Sequence, residues 1–394
     1  MVLFFFGASS NIRNLNLILQ YDGTEELLTN ISLADLWLQG MAIGAAANNL
    51  TIQYCMPYPN QVLASAGFSH IVTNARASVD YWPKDSTQWQ IGPTSLFYWA
   101  LGILPFKDGF YSSTKVQKGG FPKGPEHHPD LQALIATLSC AIVGAMDGIH
   151  LMNATRVKTS CRSDGTILKP DEPVRTSDVC FYQSPSRSEV LDPAQCHIYV
   201  THSDIPGLGS VKYLFIKGTD TTGMTLSSMV NLNDDDEASN TEYAIYDWYN
   251  RDLLMLQDAS NKVKPGYEGH SYSIITPIMD GGWIFLGEVD KYVPISRLRF
   301  SKVTTSFDGA KLEVMATGVP DEETKFCFAK SSDLHHIHCE TIRFESEFPH
   351  MIQFGEEELT SSNCYTSNQR PNVLLDNYVL LLNILSVICL VVVL

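Results

Sequence analysis

A carboxylate stands at an unusual point of a predicted strand, in the stretch TNARASVDYW (73–82). Small and apolar residues lead to Asp80, and two aromatic residues, Tyr81 and Trp82, follow it before a proline. Because proline lacks the backbone donor that a sheet needs, we expect the strand to end there. An aromatic surrounding favours the protonated carboxyl that a general acid requires. The stretch therefore predicts either an acid catalyst or, more simply, a turn-capping Asp80 paired with Arg76 four residues earlier.

The elements around this stretch alternate between helix and strand signals. Helices are predicted at 32–48, 57–63, 93–102, 127–139 and near 148–158, and strands at 51–56, 69–79, 109–113 and 140–147. This alternation is typical of a parallel sheet with right-handed crossovers, and four repeats make half of an eightfold barrel. In such a barrel the functional residues lie at the carboxyl ends of the strands, where Asp80, Ser112 and Asp147 fall.

After about residue 176 the pattern changes to short alternating runs separated by turns, which predicts an antiparallel β-sandwich. The fold class is therefore α/β plus all-β. The predicted divisions are an atypical N-terminal segment (1–29), a partial (β/α) barrel (30–175), the β-sandwich (176–358), a polar spacer (359–377) and a hydrophobic tail (378–394).

Four stretches in order carry a resemblance to a known family: VTNARASVDYWP, IGPTSLFYWALGILPFKDGFYSS, HHPDLQALIATLSCAIVGAMDG and SDGTILKPDEPVRTSDVCFY. Together they resemble the second half of the (β/α)8 barrel in the α-galactosidase and raffinose-synthase clan of glycoside hydrolases. The resemblance covers about residues 30 to 182, and the sandwich fits the layout of that clan.

The resemblance implies retaining hydrolysis or transfer at an α-linked sugar, which uses two carboxylates, one as nucleophile and one as acid/base. It places Asp80 at the acid/base position. Arg76 would hold a sugar hydroxyl or tune the acid, and Lys107 replaces a tryptophan that would stack on the sugar. The residues expected to contact substrate are Arg76, Tyr81, Trp82, Asp108, Ser112 and Asp147. The simpler alternatives are a turn or capping role for Asp108, Ser112 and Asp147, and core packing for Trp82.

The nucleophile of this clan ends the fourth barrel strand, and this chain offers no convincing equivalent. Residues 1 to 21 contain neither Asp nor Glu, and Asp22 opens a polar turn. The first three strands of the barrel are missing as well, so we expect a truncated product, a partnered chain or a remodelled front. Two hypotheses follow: a catalytically incomplete glycoside hydrolase relative, or a non-catalytic, membrane-anchored glycoprotein for carbohydrate binding or interaction.

The C-terminal 17 residues, Tyr378 to Leu394, carry no charge and follow a polar spacer, which favours a GPI-anchor signal or a C-terminal membrane helix. The N-terminus is a poor secretory signal. Nine cysteines and three glycosylation sequons lean towards the extracellular face. The sequon residues are Asn30, Asn49 and Asn153, and the proposed loop-bridging pairs are Cys161 with Cys180 and Cys327 with Cys339.

Other classes of function find little support. A net charge of −16 argues against nucleic-acid binding. No glycine-rich phosphate loop precedes a helix, so no cofactor is expected. His336 and His338 share one strand face, but two ligands are too few for a zinc site, so no metal is expected.

Overall fold

The computed structural model describes most of the chain between residues 31 and 355, together with two short outlying strands. The described residues are 2–6, 31–55, 57, 59–68, 71–83, 88–117, 124–181, 196–219, 221, 224–230, 232, 241–257, 269–355 and 364–366. Asn30, the spacer apart from 364–366, and the hydrophobic tail lie outside these ranges.

The N-terminal part contains a parallel four-stranded sheet whose strands lie side by side in chain order. The strands are β1 (Val2–Phe6), β2 (Thr51–Cys55), β3 (Val72–Arg76) and β4 (Leu104–Phe106). The helices are α1 (Ile31–Ala47), α2 (Pro59–Ser65), α3 (Gly92–Ala100), α4 (Pro129–Leu138) and α5 (Ala154–Lys158). Each neighbouring strand pair is parallel and a helix separates it in sequence, as the alternating pattern predicted.

The last part of this region departs from the predicted strands. The strand beside β3 is β4, at 104–106, and residues 109–113 and 140–147 do not form the strands expected there. They meet at one bridge, where Phe110 N donates to Gly144 O and Met146 N to Phe110 O. Cys140, the first residue of the apolar run, has a φ of 69°, outside the extended region, and among the described residues the run pairs only at this bridge. The described strands of this N-terminal part, β1 to β4, form an open sheet and no closed barrel.

The C-terminal part is antiparallel, as predicted. Its strands are β5 (Arg175–Thr176), β6 (Ile198–Ile205), β7 (Gly209–Lys217), β8 (Tyr243–Asp247), β9 (Leu253–Met255), β10 (His270–Met279), β11 (Trp283–Gly287), β12 (Phe300–Thr305), β13 (Leu312–Ala316), β14 (Glu323–Lys330), β15 (Asp333–Arg343), β16 (His350–Phe354) and β17 (Cys364–Thr366). A four-residue helix, α6 (Leu226–Met229), lies between β7 and β8. Short 3-10 turns occur at Ala66–Phe68, Asp178–Cys180 and Asp280–Gly282.

These strands form a ten-stranded sheet and a three-stranded sheet, β12-β13-β16. In the larger sheet β10 is the central strand, pairing with β7, β8 and β11. The two sheets pack through aromatic pairs: the rings of Phe285 and Phe300 are 5.0 Å apart, and those of Phe328 and Phe354 are 4.6 Å apart. Edge-to-face and tilted packing of such rings stabilises a sandwich core beyond the area it buries.

One hydrophobic core joins the helical part to the sandwich. Helix α4 is buried along its whole length except at Asp130, and it shares a cluster with sandwich residues such as Phe215 and Trp283. Asp130 is bound by Arg156, with Nε to Oδ1 at 2.6 Å, and by the hydroxyl of Tyr292 at 3.3 Å. The one charged side chain on α4 is therefore satisfied from both parts of the molecule.

A second charged group is buried inside the sandwich. The guanidinium of Arg299 donates to Glu288 at 3.0 and 3.2 Å and to Glu322 at 2.8 Å from each of two nitrogens, and its side chain has no exposed surface. Burial by itself would raise the pKa of Glu322, but hydrogen bonds from Arg299 and from Ser163 N lower it to about 2. Because Ser163 belongs to the helical part, this charged cluster also ties the two parts together.

The disulfides differ in part from the sequence prediction. Cys327 and Cys339 are bonded, as predicted, where β14 and β15 pair. Cys180 is bonded to Cys196, so the predicted Cys161–Cys180 pair is wrong. Cys180 and Cys196 are both buried in one small hydrophobic cluster, whereas Cys161 is half-buried and lies outside that cluster.

No helix among the described residues is long and apolar enough to cross a membrane. The predicted membrane-attachment segment, 378–394, falls outside the described residues.

The disulfide assignment gives a first prediction. Replacing Cys180 and Cys196 together by serine removes a cross-link over 16 residues and is expected to lower the free energy of unfolding by about 3 kcal/mol. Cys161→Ser is the matched control and is expected to change it by less than about 1 kcal/mol. Denaturation monitored by tryptophan fluorescence measures both, and a larger loss in the Cys161 variant contradicts the assignment.

Candidate functional site

The site is built around a guanidinium at the carboxyl end of β3. Arg76 is buried, with 5% of its side chain exposed, and it donates Nη2 to Asp80 Oδ1 at 2.7 Å and Nη1 to Asp108 Oδ2 at 3.0 Å. Burial by itself would lower the pKa of Arg76, but Asp108 and Asp80 outweigh it and raise the pKa. One cation therefore holds two of the carboxylates that the sequence singled out.

Asp108 is the more firmly held of the two. Besides Arg76 it accepts hydrogen bonds from Tyr81 N at 2.9 Å and from Gly109 N at 2.9 Å, and its own backbone N donates to Ser78 Oγ at 2.8 Å. These bonds join the loop after β4 to the loop after β3. The carboxylate thus sets the position of both loops, which is a positioning role as well as a candidate binding role.

Asp80 faces outward at the same edge. Its side chain is 58% exposed, and the neighbouring Trp82 is 47% exposed. The ion pair with Arg76 matches the simpler sequence interpretation, in which Asp80 pairs with the arginine four residues earlier. The aromatic enclosure expected around Asp80 is not formed by Tyr81, whose ring turns into the core.

Tyr81 belongs to a buried polar network that the sequence analysis missed. Its hydroxyl donates to Glu126 Oε2 at 2.5 Å and accepts from Tyr111 N at 3.1 Å, while His128 N donates to Glu126 Oε1 at 2.7 Å. Glu126 is fully buried, and burial raises its pKa although the hydrogen bonds oppose it. The only local signal for Glu126 was an acid in a proline-flanked loop just before a helix.

Lys107 also belongs to this buried network. Its ammonium donates to Asp108 O at 2.8 Å and lies 5.2 Å from the ring of Tyr81 and 5.0 Å from that of Phe110. Burial lowers the pKa of Lys107 from 10.5 to about 7, although Asp108 and Glu126 oppose the change. Lys107, at the position of a tryptophan in the resembling family, is thus buried beneath the site and offers no exposed ring.

Ser112 and Asp147 form a separate cluster. Ser112 is fully buried, and its backbone N donates to Asp147 Oδ2 at 2.7 Å. Asp147 also accepts from Ser113 N at 3.2 Å and from Gln117 Nε2 at 3.4 Å. Both residues act here as loop anchors, and neither reaches the Arg76 pairs by a hydrogen bond.

The other sequence candidates lie apart from this edge. Asn49 is exposed after α1, and Asn153 is half-buried and caps α5 by accepting from Arg156 N at 3.1 Å. Within the described residues no group of three His, Cys, Asp or Glu side chains forms a metal site. His336 Nδ1 lies 2.7 Å from Asp333 Oδ2, and His338 stacks on Phe328.

A cavity of about 640 Å³ lies elsewhere, between the segment after α5 and strands β14 and β15. None of the residues predicted to contact sugar lines it.

Comparison with known proteins leaves the resemblance to glycoside hydrolases as a hypothesis. No protein-family model matches the sequence, and no curated protein is similar to it at a significant level.

The two carboxylates on Arg76 are expected to differ in their contribution to stability. Asp108→Asn leaves a buried guanidinium short of charge and weakens two backbone contacts, so a loss of about 2 kcal/mol is expected. Asp80→Asn changes an exposed pair and is expected to cost less than about 1 kcal/mol. Urea denaturation of both variants measures the difference, and equal losses would contradict this assignment of roles.

Lys107 gives a prediction about pH. Since its pKa is lowered by folding, the unfolded chain binds more protons between about pH 7 and pH 10, so the contribution of Lys107 to stability rises with pH in that window. The unfolding free energy of the wild type relative to Lys107→Met is therefore expected to increase by on the order of a few kcal/mol from pH 6.5 to pH 9.5. Chemical denaturation at both pH values measures it, with the exposed Lys311→Met as control. A pH-independent difference would show that Lys107 is not held as a buried amine.

Proposed function

We propose that this chain is a relative of the α-galactosidase and raffinose-synthase glycoside hydrolases that binds α-linked sugars without hydrolysing them. The binding site is the carboxyl edge of the parallel sheet, which we interpret as four neighbouring strands of a (β/α)8-type wall. The observation that carries the proposal is the exposed Asp80, fixed by the buried Arg76 beside the exposed ring of Trp82.

This arrangement has the chemistry that sugar recognition requires. Sugar hydroxyls donate to a carboxylate such as Asp80, and the apolar face of a sugar ring packs against an aromatic ring such as Trp82. Arg76 Nε is buried and has no acceptor among the described residues. A buried donor left open favours an added oxygen, from water or from a ligand hydroxyl.

The carboxylates available argue for binding rather than turnover. A retaining enzyme needs a nucleophile in addition to its acid, on opposite sides of the scissile bond. β1 occupies the place of the strand before β2, but the sequence after it carries no acid until Asp22. Asp108, the other carboxylate at this edge, is committed to Arg76, Tyr81 N and Gly109 N.

An extracellular setting fits this function. Two disulfides among the described residues are typical of an oxidising compartment. We propose that the protein acts at the outer cell surface, with the hydrophobic tail as its membrane attachment and Asn49 and Asn153 as glycosylation sites.

The test is a binding titration with melibiose and raffinose, followed by calorimetry, with cellobiose as the β-linked comparison. Asp80→Asn and Trp82→Ala are each expected to weaken binding of the α-galactosides at least about tenfold, or about 1.4 kcal/mol. Asp204→Asn is the matched control, because Asp204 is 59% exposed, also pairs with a basic side chain, His202, and lies on β6 of the sandwich.

Hydrolysis of an aryl α-galactoside is measured on the same samples and is expected to stay at the background rate. Absence of saturable α-galactoside binding, or binding that survives both site substitutions, would refute the binding site. Hydrolysis that depends on Asp80 would refute the non-catalytic assignment.

A further inference from the structure

We propose that the cavity between the segment after α5 and the sandwich binds a small organic anion with an apolar body. The cavity measures about 640 Å³, within the range of roughly 300 to 1,000 Å³ that holds small ligands. It shares no residue with the Arg76 site, so this inference is independent of the proposed function.

The floor of the cavity is apolar and buried. It is formed by the Cys327–Cys339 disulfide and by Ile337, with Val289 at the side. The disulfide joins two directly paired strands and Ile337 lies on the same strand as Cys339, so this surface is rigid. A flat apolar group, such as an aromatic ring, is the chemistry that this floor accepts.

The walls and rim carry a local excess of positive charge, although the chain as a whole has a net charge of −16. Five basic and three acidic side chains line the cavity: Lys158, Arg162, Arg251, Lys291 and Lys325, with Asp290, Glu322 and Glu323. In a cleft with apolar walls, such an excess attracts anions more strongly than on an open surface.

Two of the lining charges are paired with residues that do not line the cavity. Glu322 is bound to Arg299, which lies outside the cavity, and Arg162 is bound to Asp164 with Nη2 to Oδ2 at 2.5 Å. Lys291 donates to Lys158 O and to Cys161 O, both at 2.9 Å, which fixes its ammonium at the wall. Arg251 is held against the ring of Trp248, 5.2 Å from its centre.

The head group of the ligand is therefore a carboxylate or a phosphate. Lys158 and Lys325 stand at the exposed rim, where they can close on such a group, while Arg251 and Lys291 are placed in advance. Preorganised cations reduce the ordering cost of binding an anion. The positive excess disfavours a polycation, and the apolar floor disfavours a neutral sugar.

The test uses three probes that share one aromatic body: 4-nitrophenyl phosphate, 4-nitrobenzoate and the neutral 4-nitrobenzyl alcohol. Binding is followed by calorimetry and by the rate at which iodoacetamide alkylates Cys161, whose thiol lines the cavity. Cys55 and Cys140, read from the same peptide maps, are internal controls because neither lines the cavity. At least one anion is expected to bind saturably and to slow alkylation at Cys161 alone.

The variants separate a specific site from a general charge effect. Lys158→Glu with Lys325→Glu is expected to weaken anion binding at least about tenfold, whereas Lys302→Glu with Lys311→Glu, on exposed positions of the smaller sheet, changes net charge equally and is expected to leave binding intact. The single Lys158→Glu variant replaces the double one if the latter unfolds. Equal binding of the neutral probe, no saturable anion binding, or equal losses in both variant pairs would overturn the proposal.

Discussion

A guanidinium buried at the end of a strand has to be neutralised where it lies, and the N-terminal half of this protein is arranged around that requirement. Arg76 cannot reach solvent, so a carboxylate must come to it from a second loop, and Asp108 does so from 32 residues further along the chain. Asp108 in turn receives the backbone of Tyr81, which directs the tyrosine ring inward to Glu126 and leaves Asp80 and Trp82 outside. The exposure of Asp80 and Trp82 is therefore a result of the hydrogen bonds that the buried groups Arg76, Asp108 and Tyr81 make.

The same reasoning separates the two parts of the candidate site. Below the sheet edge, Lys107, Glu126 and Tyr81 form a closed network in which each group is held by another and none reaches solvent. Above it, the side chains of Asp80 and Trp82 are accessible, and Asp80 is held by Arg76. Our proposal assigns ligand recognition to the accessible layer, and the buried layer keeps that layer in place.

Local signals in the sequence predicted much of the fold. Proline and glycine marked the ends of α3 to within two residues, and alternating runs predicted the antiparallel strands of the sandwich. The pairing of Arg76 with Asp80 was also among the interpretations, since the two are four residues apart. The apolar run at 140–147 was read as a strand because periodicity does not reveal that Cys140 adopts a positive φ.

Long-range features had no such signal. Nothing near Glu126 in the sequence indicates that Tyr81, 45 residues earlier, donates a hydrogen bond to it. The position of a cysteine in the sequence likewise does not show which other cysteine it is bonded to. The anionic-ligand cavity brings together residues from 158 to 339, so no single stretch contains it. Buried polar partners are chosen by the packed fold, and they become visible only when the fold is known.

Helix α4 has one charged residue, Asp130, and all its other residues are buried; its apolar residues share a cluster with the core of the sandwich. A typical surface helix buries one apolar stripe and exposes a polar face. Helix α4 has no such polar face, so its apolar residues would be exposed if the sandwich were removed. The boundary between the helical part and the sandwich is thus a shared hydrophobic core rather than a hinge. The helical part and the sandwich therefore share one core, and each is expected to depend on the other for its stability.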